Sequence, residues 1–179
     1  HMDSKVIIKS TVRSPFDNAD ELLVFSEENG SISVKSNKDE NISVSHEIFL
    51  PTVKFNTINL RTKNGKIYVE DSIAELFEAQ TSNSNIELMG VNSDKINVTT
   101  RNGKVQFGYI IGKDIDINTV NSLIDIKHIK TQNVSAVSKN GRIFIENVHN
   151  YQGCGDINMN LKTSQAGIKV NMNDMEKRG

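Results

Sequence analysis

Apolar residues recur along this chain with a period of 19 residues, and an asparagine marks the phase. Asn64-Gly65, Asn83-Ser84, Asn102-Gly103, Asn121-Ser122 and Asn140-Gly141 follow one another at that interval without insertion. With each asparagine as position zero, positions −6, −4, +3 and +5 hold Ile58, Leu60, Ile67, Val69; Phe77, Ala79, Ile86, Leu88; Ile96, Val98, Val105, Phe107; Ile115, Ile117, Ile124, Ile126; and Val134, Ala136, Ile143, Ile145. All are apolar, in a chain that is only 36% hydrophobic. Alternation on both sides of a turn is the period-2 mark of two half-buried strands. A further apolar residue near +8 or +9 (Ile73, Val91, Ile110 or Ile111, Ile129, Val148) closes a third side.

Each unit is thus expected to make one full turn of a coil. A lone unit cannot cover its own apolar face, so it must stack on neighbours about 4.8 Å above and below. Asn-Gly is also a strong hairpin signal. A meander of hairpins, however, would not demand a constant 19-residue phase. The predicted fold is therefore all-β: a single-domain right-handed parallel β-helix, a solenoid with a 19-residue rung and about eight rungs. The hand follows the rule for parallel crossover connections, and a 19-residue rung is not a multiple of the six-residue repeat of left-handed coils.

Position zero is predicted to be a corner in the left-handed conformation that Asn and Gly tolerate. Stacked amides at Asn64, Asn83, Asn102, Asn121 and Asn140 are expected to bond from rung to rung. Position −2 repeats as Thr62, Thr81, Thr100, Thr119 and Ser138. These hydroxyls should face inward near the corner as a second, hydrogen-bonded ladder.

The ends are less regular. Leu23, Phe25, Ile32 and Val34 flank Asn29-Gly30 at the same offsets and predict an earlier rung, while Ile42, Val44, Val53 and Phe55 suggest a shortened one with Pro51 at a bend. Met159, Leu161, Ile168 and Val170 fit if Gln165 is zero, with about six residues inserted around Tyr151 to Gly155. The expected limits are a cloning scar at 1–2, a capping strand within 3–20, the β-helix over 21–172 and a polar tail over 173–179.

Units such as INLRTKNGKIYVED, INVTTRNGKVQFG and VSAVSKNGRIFIEN resemble the bacterial adhesin-like, or toast-rack, β-strand-repeat domain over roughly residues 20–172. The resemblance implies a non-catalytic coil attached to bacterial envelope-stress and surface proteins, some of them membrane-anchored. It brings no catalytic motif, and the Asn83 and Asn121 rungs depart from its Asn-Gly pattern.

Charge narrows the chemistry. With 21 basic and 22 acidic side chains there is no bulk field to attract nucleic acid, and none is expected as a partner. Locally, Lys63, Lys66, Arg101, Lys104, Lys139 and Arg142 occupy −1 and +2 on alternate rungs. They form a basic edge suited to a protein or an anionic envelope polymer or lipid. Glu87 and Asp125, both at +4, stand two rungs apart, about 9 to 10 Å, near the upper limit for an inverting glycosidase pair. A polysaccharide-binding or polysaccharide-degrading β-helix is the alternative reading. Without a third carboxylate or catalytic arginine beside them, these acids are better read as balancing the basic edge, and the chain as no enzyme.

Tyr68 and Phe144 are candidate contact aromatics at +4. His46, at the −2 position of the irregular rung, reads as a buried structural histidine, and His128 and His149 on the third side as structural too. Cys154 is alone, so no internal disulfide forms, and no Cys/His spacing suits a metal. No cofactor is expected. No apolar run approaches a membrane span. A bacterial envelope or surface location is expected for the parent protein, although the cysteine count fits the cytoplasm equally well. End-to-end stacking of coils is a further expected association.

Overall fold

The computed structural model describes strands over 7–13, 23–28, 31–36 and 43–49, and then residues 53–172 apart from 152 and 154. The chain divides into two compact units, His1–Pro51 and Thr52–Gly179.

In the first unit, β1 (Ile7–Arg13) pairs antiparallel with β4 (Ser43–Phe49), Ile7 opposite Phe49. Likewise β2 (Leu23–Glu28) pairs antiparallel with β3 (Ser31–Ser36), Phe25 opposite Val34. The rung expected around Asn29-Gly30 is therefore a two-stranded antiparallel pair, and Val44, assigned to a shortened rung, lies opposite Val12. The reason is local. Two apolar residues on each side of Asn-Gly satisfy a tight hairpin as well as a rung, and the unit 19 residues on, in phase at Ile42, Val44 and Val53, has Pro51 at +3, which cannot donate to a ladder. The expectations for the His46 side chain, for Cys154, and for residues 1–2 and 173–179 lie outside the described residues.

The second unit is a parallel β-solenoid that begins at Lys54, not at residue 21. One stack contains β5 (Lys54–Arg61), β7 (Ile73–Gln80), β9 (Asn92–Thr99), the second half of β10 (Val105–Thr119), β12 (Asn133–Ser138) and β14 (Asn158–Thr163). The other contains β6 (Ile67–Glu70), β8 (Ile86–Met89), the first half of β10, β11 (Ile124–Thr131), β13 (Ile143–Asn150) and β15 (Ile168–Asn171). Register keeps the 19-residue phase: Ile58, Phe77, Ile96, Ile115 and Val134 stack in one file. The last step pairs Val134 with Met159 and Ile143 with Ile168, which places the six extra residues between β13 and β14. Six stacked rungs, about five turns from first to last, are present among the described residues. The expected eight also counted the Asn29-Gly30 unit and the shortened rung of Ile42, Val44, Val53 and Phe55.

The inward files form the core. Phe77, Ile86, Leu88, Ile96, Ile117, Ile124, Ile126 and Ile145 are completely buried, while Ile168 and Val170 on the last rung are 43% and 39% exposed. This gradient is the expected one when a terminal rung has a neighbour on one side only. The third side is closed at +8 by Ser72, Val91, Ile110, Ile129 and Val148, all buried. Ile73, a candidate for that file, points outward at 39% exposure. Ile111 is likewise not in the file.

Left-handed backbone does not occur at the asparagine corner. It falls at +7, on Asp71 (φ 50°), Gly90 (65°), Tyr109 (56°), His128 (53°) and Asn147 (54°). Positions +5 and +8 both face inward although strict alternation would oppose them. One residue per rung must absorb that change of parity, and a left-handed φ does so.

Candidate interaction surfaces

The asparagine corner is an exposed amide ladder. Each Nδ2 donates to the Oδ1 of the preceding rung: Asn83 to Asn64 at 2.8 Å, Asn102 to Asn83 at 2.9 Å, Asn121 to Asn102 at 2.7 Å and Asn140 to Asn121 at 2.6 Å. Position +1 alternates Gly and Ser for a steric reason. A Cβ on Gly103 would overlap the carbonyl of Ser84, and one on Gly141 the carbonyl of Ser122.

The hydroxyls at −2 turn inward but bond to backbone and not to one another. Thr62, Thr100 and Ser138 accept from the amides of Gly65 (3.0 Å), Gly103 (3.1 Å) and Gly141 (2.8 Å). Thr81 donates to Gly65 O at 3.3 Å, whereas Thr119 Oγ1 is buried without a partner among the described residues. A comparable file exists at the third corner. Ser93 Oγ lies 3.1 and 3.0 Å from the carbonyls of Glu75 and Lys95, and Thr131 Oγ1 lies 3.2 and 2.9 Å from those of Lys113 and Asn133. Sequence reading missed this file, although Ser93 and Thr131 stand two rungs apart in one column with the small residues Ala74 and Gly112.

Structure divides the basic edge in two. Lys66 Nζ pairs with Glu87 at 2.7 Å and Lys104 Nζ with Asp125 at 3.3 Å, each reaching from +2 to the +4 acid of the next rung. Each of the two acids is therefore held by a lysine of the preceding rung. Lys63, Arg101, Lys139 and Arg142 are exposed, and none has a carboxylate within ion-pair distance among the described residues. Tyr68 is 54% exposed beneath Lys66 Nζ, 5.5 Å from the ring centroid; Phe144 is half-buried with Lys169 Nζ at 5.4 Å. The charge of Glu70, then burial and a hydrogen bond to Glu70, raises the Tyr68 phenol above its usual 10.0.

Elsewhere polar groups are mostly committed to each other. On the outer face of β9, β10, β12 and β14 a shallow depression is lined by Lys95, Asn97, Asp114, Asp116, Asn133 and Asn158. Within it Asn133 donates to Asp114 at 2.6 Å and Asn158 to Asn133 at 2.8 Å. At the third corner Lys54 pairs with Glu75 (3.5 Å) and Asp94 (3.4 Å), and Tyr151 donates to Asp94 at 3.3 Å. His128 lies at the +7 corner, stacked on Tyr109 with centroids 4.8 Å apart, and His149 is exposed. No group of three or more His, Cys, Asp or Glu among the described residues could hold a metal ion. No helix among them is long and apolar enough to cross a membrane.

No curated protein and no solved structure matches the chain. A family model, Toastrack DUF4097, matches residues 8–176, nearly the whole length and all six rungs. The phased coil and that match agree, and the chain belongs to the Toastrack family, a β-repeat domain family of unknown function.

Proposed function

We propose that this coil is a non-enzymatic interaction module of a bacterial envelope-associated protein, and that it docks an anionic envelope polymer or lipid along its −1 edge. The observation that supports this reading is the unbalanced charge of Lys63, Arg101 and Lys139. These side chains recur every second rung, about 9.6 Å apart, while the neighbouring Lys66 and Lys104 are balanced by acids. A row of unpaired cations on a rigid backbone at fixed spacing meets a row of phosphates without ordering the backbone first, so that only the side chains are ordered on contact. The engagement of Glu87 and Asp125 in ion pairs weighs against the polysaccharide-cleaving alternative.

The test is cosedimentation with phosphatidylglycerol-containing vesicles and with a polyanionic wall polymer. Binding that weakens with salt and is lost in the Lys63→Glu, Arg101→Glu, Lys139→Glu variant is expected. Undiminished binding by that variant removes the edge as the docking surface. A second reading, end-to-end self-association, is favoured by Ile168, Val170 and Met172, which leave the last rung apolar and 43%, 39% and 51% exposed. Sedimentation showing a monomer at high concentration would dispose of it.

A further inference from the structure

The +7 corner carries a feature unrelated to the basic edge. Tyr109 is the residue of that left-handed file whose type least tolerates such a φ, and it is 65% exposed, so burial does not offset its strain of about 1–3 kcal/mol. One face of its ring is covered. His128 of the following rung stacks on it with centroids 4.8 Å apart and ring planes within 5°, and Asn147 Nδ2 lies 3.2 Å from His128 Nδ1. The other face looks back toward the preceding rung, where the corner residue is Gly90, which has no side chain of its own to stack there. One rung further back stands Asp71, and its Oδ1 reaches into the space that a Gly90 side chain would fill. Among the described residues Asp71 has no ion-pair partner, and Glu70 beside it adds negative charge.

We propose that this slot binds a guanidinium group, stacked flat on the open face of Tyr109 and hydrogen-bonded to the Asp71 carboxylate. The backbones of Tyr109 and Asp71 are two rungs apart, about 9.6 Å along the coil, and the Asp71 carboxylate reaches to the level of Gly90, where it can meet the edge of a flat group stacked on Tyr109. A guanidinium is planar, stacks on aromatic faces and presents N–H donors in its own plane to a carboxylate. An ammonium would pair with Asp71 but could not stack. A neutral pyranose ring makes no use of the charge. Pre-setting Tyr109 on His128 also means that binding need not order the ring.

The test is titration of the 15N-labelled protein with N-acetyl-argininamide, with free L-arginine and with N-acetyl-lysinamide, followed by NMR. Saturable shifts at Gly90 and Tyr109 with a guanidinium probe are expected, weakened about fivefold or more by Asp71→Asn and by Tyr109→Ala but retained in Tyr109→Phe. Unmoved signals of Ile117 and Ile143 establish that each variant keeps its core. Binding of the acetylated amide alone assigns the slot to an arginine side chain of a polypeptide; binding of free arginine alone assigns it to a small guanidino compound, and both support the proposal. Absence of saturable shifts with either probe, equal binding of the lysine probe, or shifts unaltered by Asp71→Asn would overturn it.

Discussion

Replacing Gly103 by alanine should destabilise the coil more than any other single-methyl addition considered for it. A Cβ there would overlap the Ser84 carbonyl carbon and oxygen and approach the Asn85 amide nitrogen to 2.9 Å. These are backbone atoms of the rung beneath and cannot turn aside as a side chain can. The corner must lift, which strains the bonds from Asn102 N to Ser82 O (3.0 Å) and from Gly103 N to Thr100 Oγ1 (3.1 Å). Over-packing of this kind amounts to about 1–3 kcal/mol. Two weakened hydrogen bonds add about 0.5–1.5 kcal/mol each. The expected loss is therefore about 2–6 kcal/mol. Gly167→Ala is the matched control, because a Cβ there meets nothing within 4 Å. It should be neutral or stabilise by up to about 1 kcal/mol through the unfolded chain. Urea unfolding of both variants, with the m-value checked for constancy, measures the difference. A Gly103→Ala loss below about 0.5 kcal/mol, or an equal loss for Gly167→Ala, would refute the steric account of the Gly/Ser alternation.

Other consequences can be measured in the same way. Thr119→Val removes a buried hydroxyl that has no partner and should be neutral or stabilise by about 1 kcal/mol, whereas Thr100→Val leaves the Gly103 amide unpaired and should destabilise by about 1–3 kcal/mol; equal effects in urea unfolding would contradict the hydrogen-bond assignment. Tyr151 is raised above 10.0 by burial and by Asp94. Lys54 is raised above 10.5, since burial lowers it but Asp94 and Glu75 outweigh that effect. Both groups hold their protons longer in the folded state, so their contribution is present below about pH 10 and is lost as pH rises through the folded values. Thermal midpoints at pH 9 and pH 11 should fall further for the parent than for Tyr151→Phe, and equal falls would exclude the Tyr151 contribution.

The coil was readable because its constraint repeats. A side chain at −6 or +3 faces the interior in every rung, so five copies reinforce one pattern, and Gln165 could be placed despite the longer connection before it. Where the pattern stood alone it was ambiguous. Leu23, Phe25, Ile32 and Val34 satisfy a hairpin and a rung equally, and a successor in phase at Ile42, Val44 and Val53 but broken by Pro51 did not tell them apart. The left-handed corner was assigned to position zero from residue preference, although the +7 file also contains Asp71, Gly90, His128 and Asn147, types that tolerate it. Counting the residues between the inward positions +5 and +8 would have located it. The basic edge was visible as a composition of columns. That Lys66 and Lys104 reach diagonally to Glu87 and Asp125 depends on side-chain reach between rungs, which column reading does not contain. The stacking of Tyr109 on His128, and the open face beside Gly90, depend in the same way on φ and ring orientation.

A distance between two labels tests the winding of the coil most directly. In a Cys154→Ser background, spin labels at Lys63 and Lys139 occupy the same exposed column four rungs apart. The solenoid predicts about 19 Å between the backbone sites in a pulsed electron–electron resonance measurement, whereas a meander that adds two strands per unit would separate them by about 38 Å. A narrow distribution near the shorter value is the expected result, and one centred near the longer value would contradict the parallel coil.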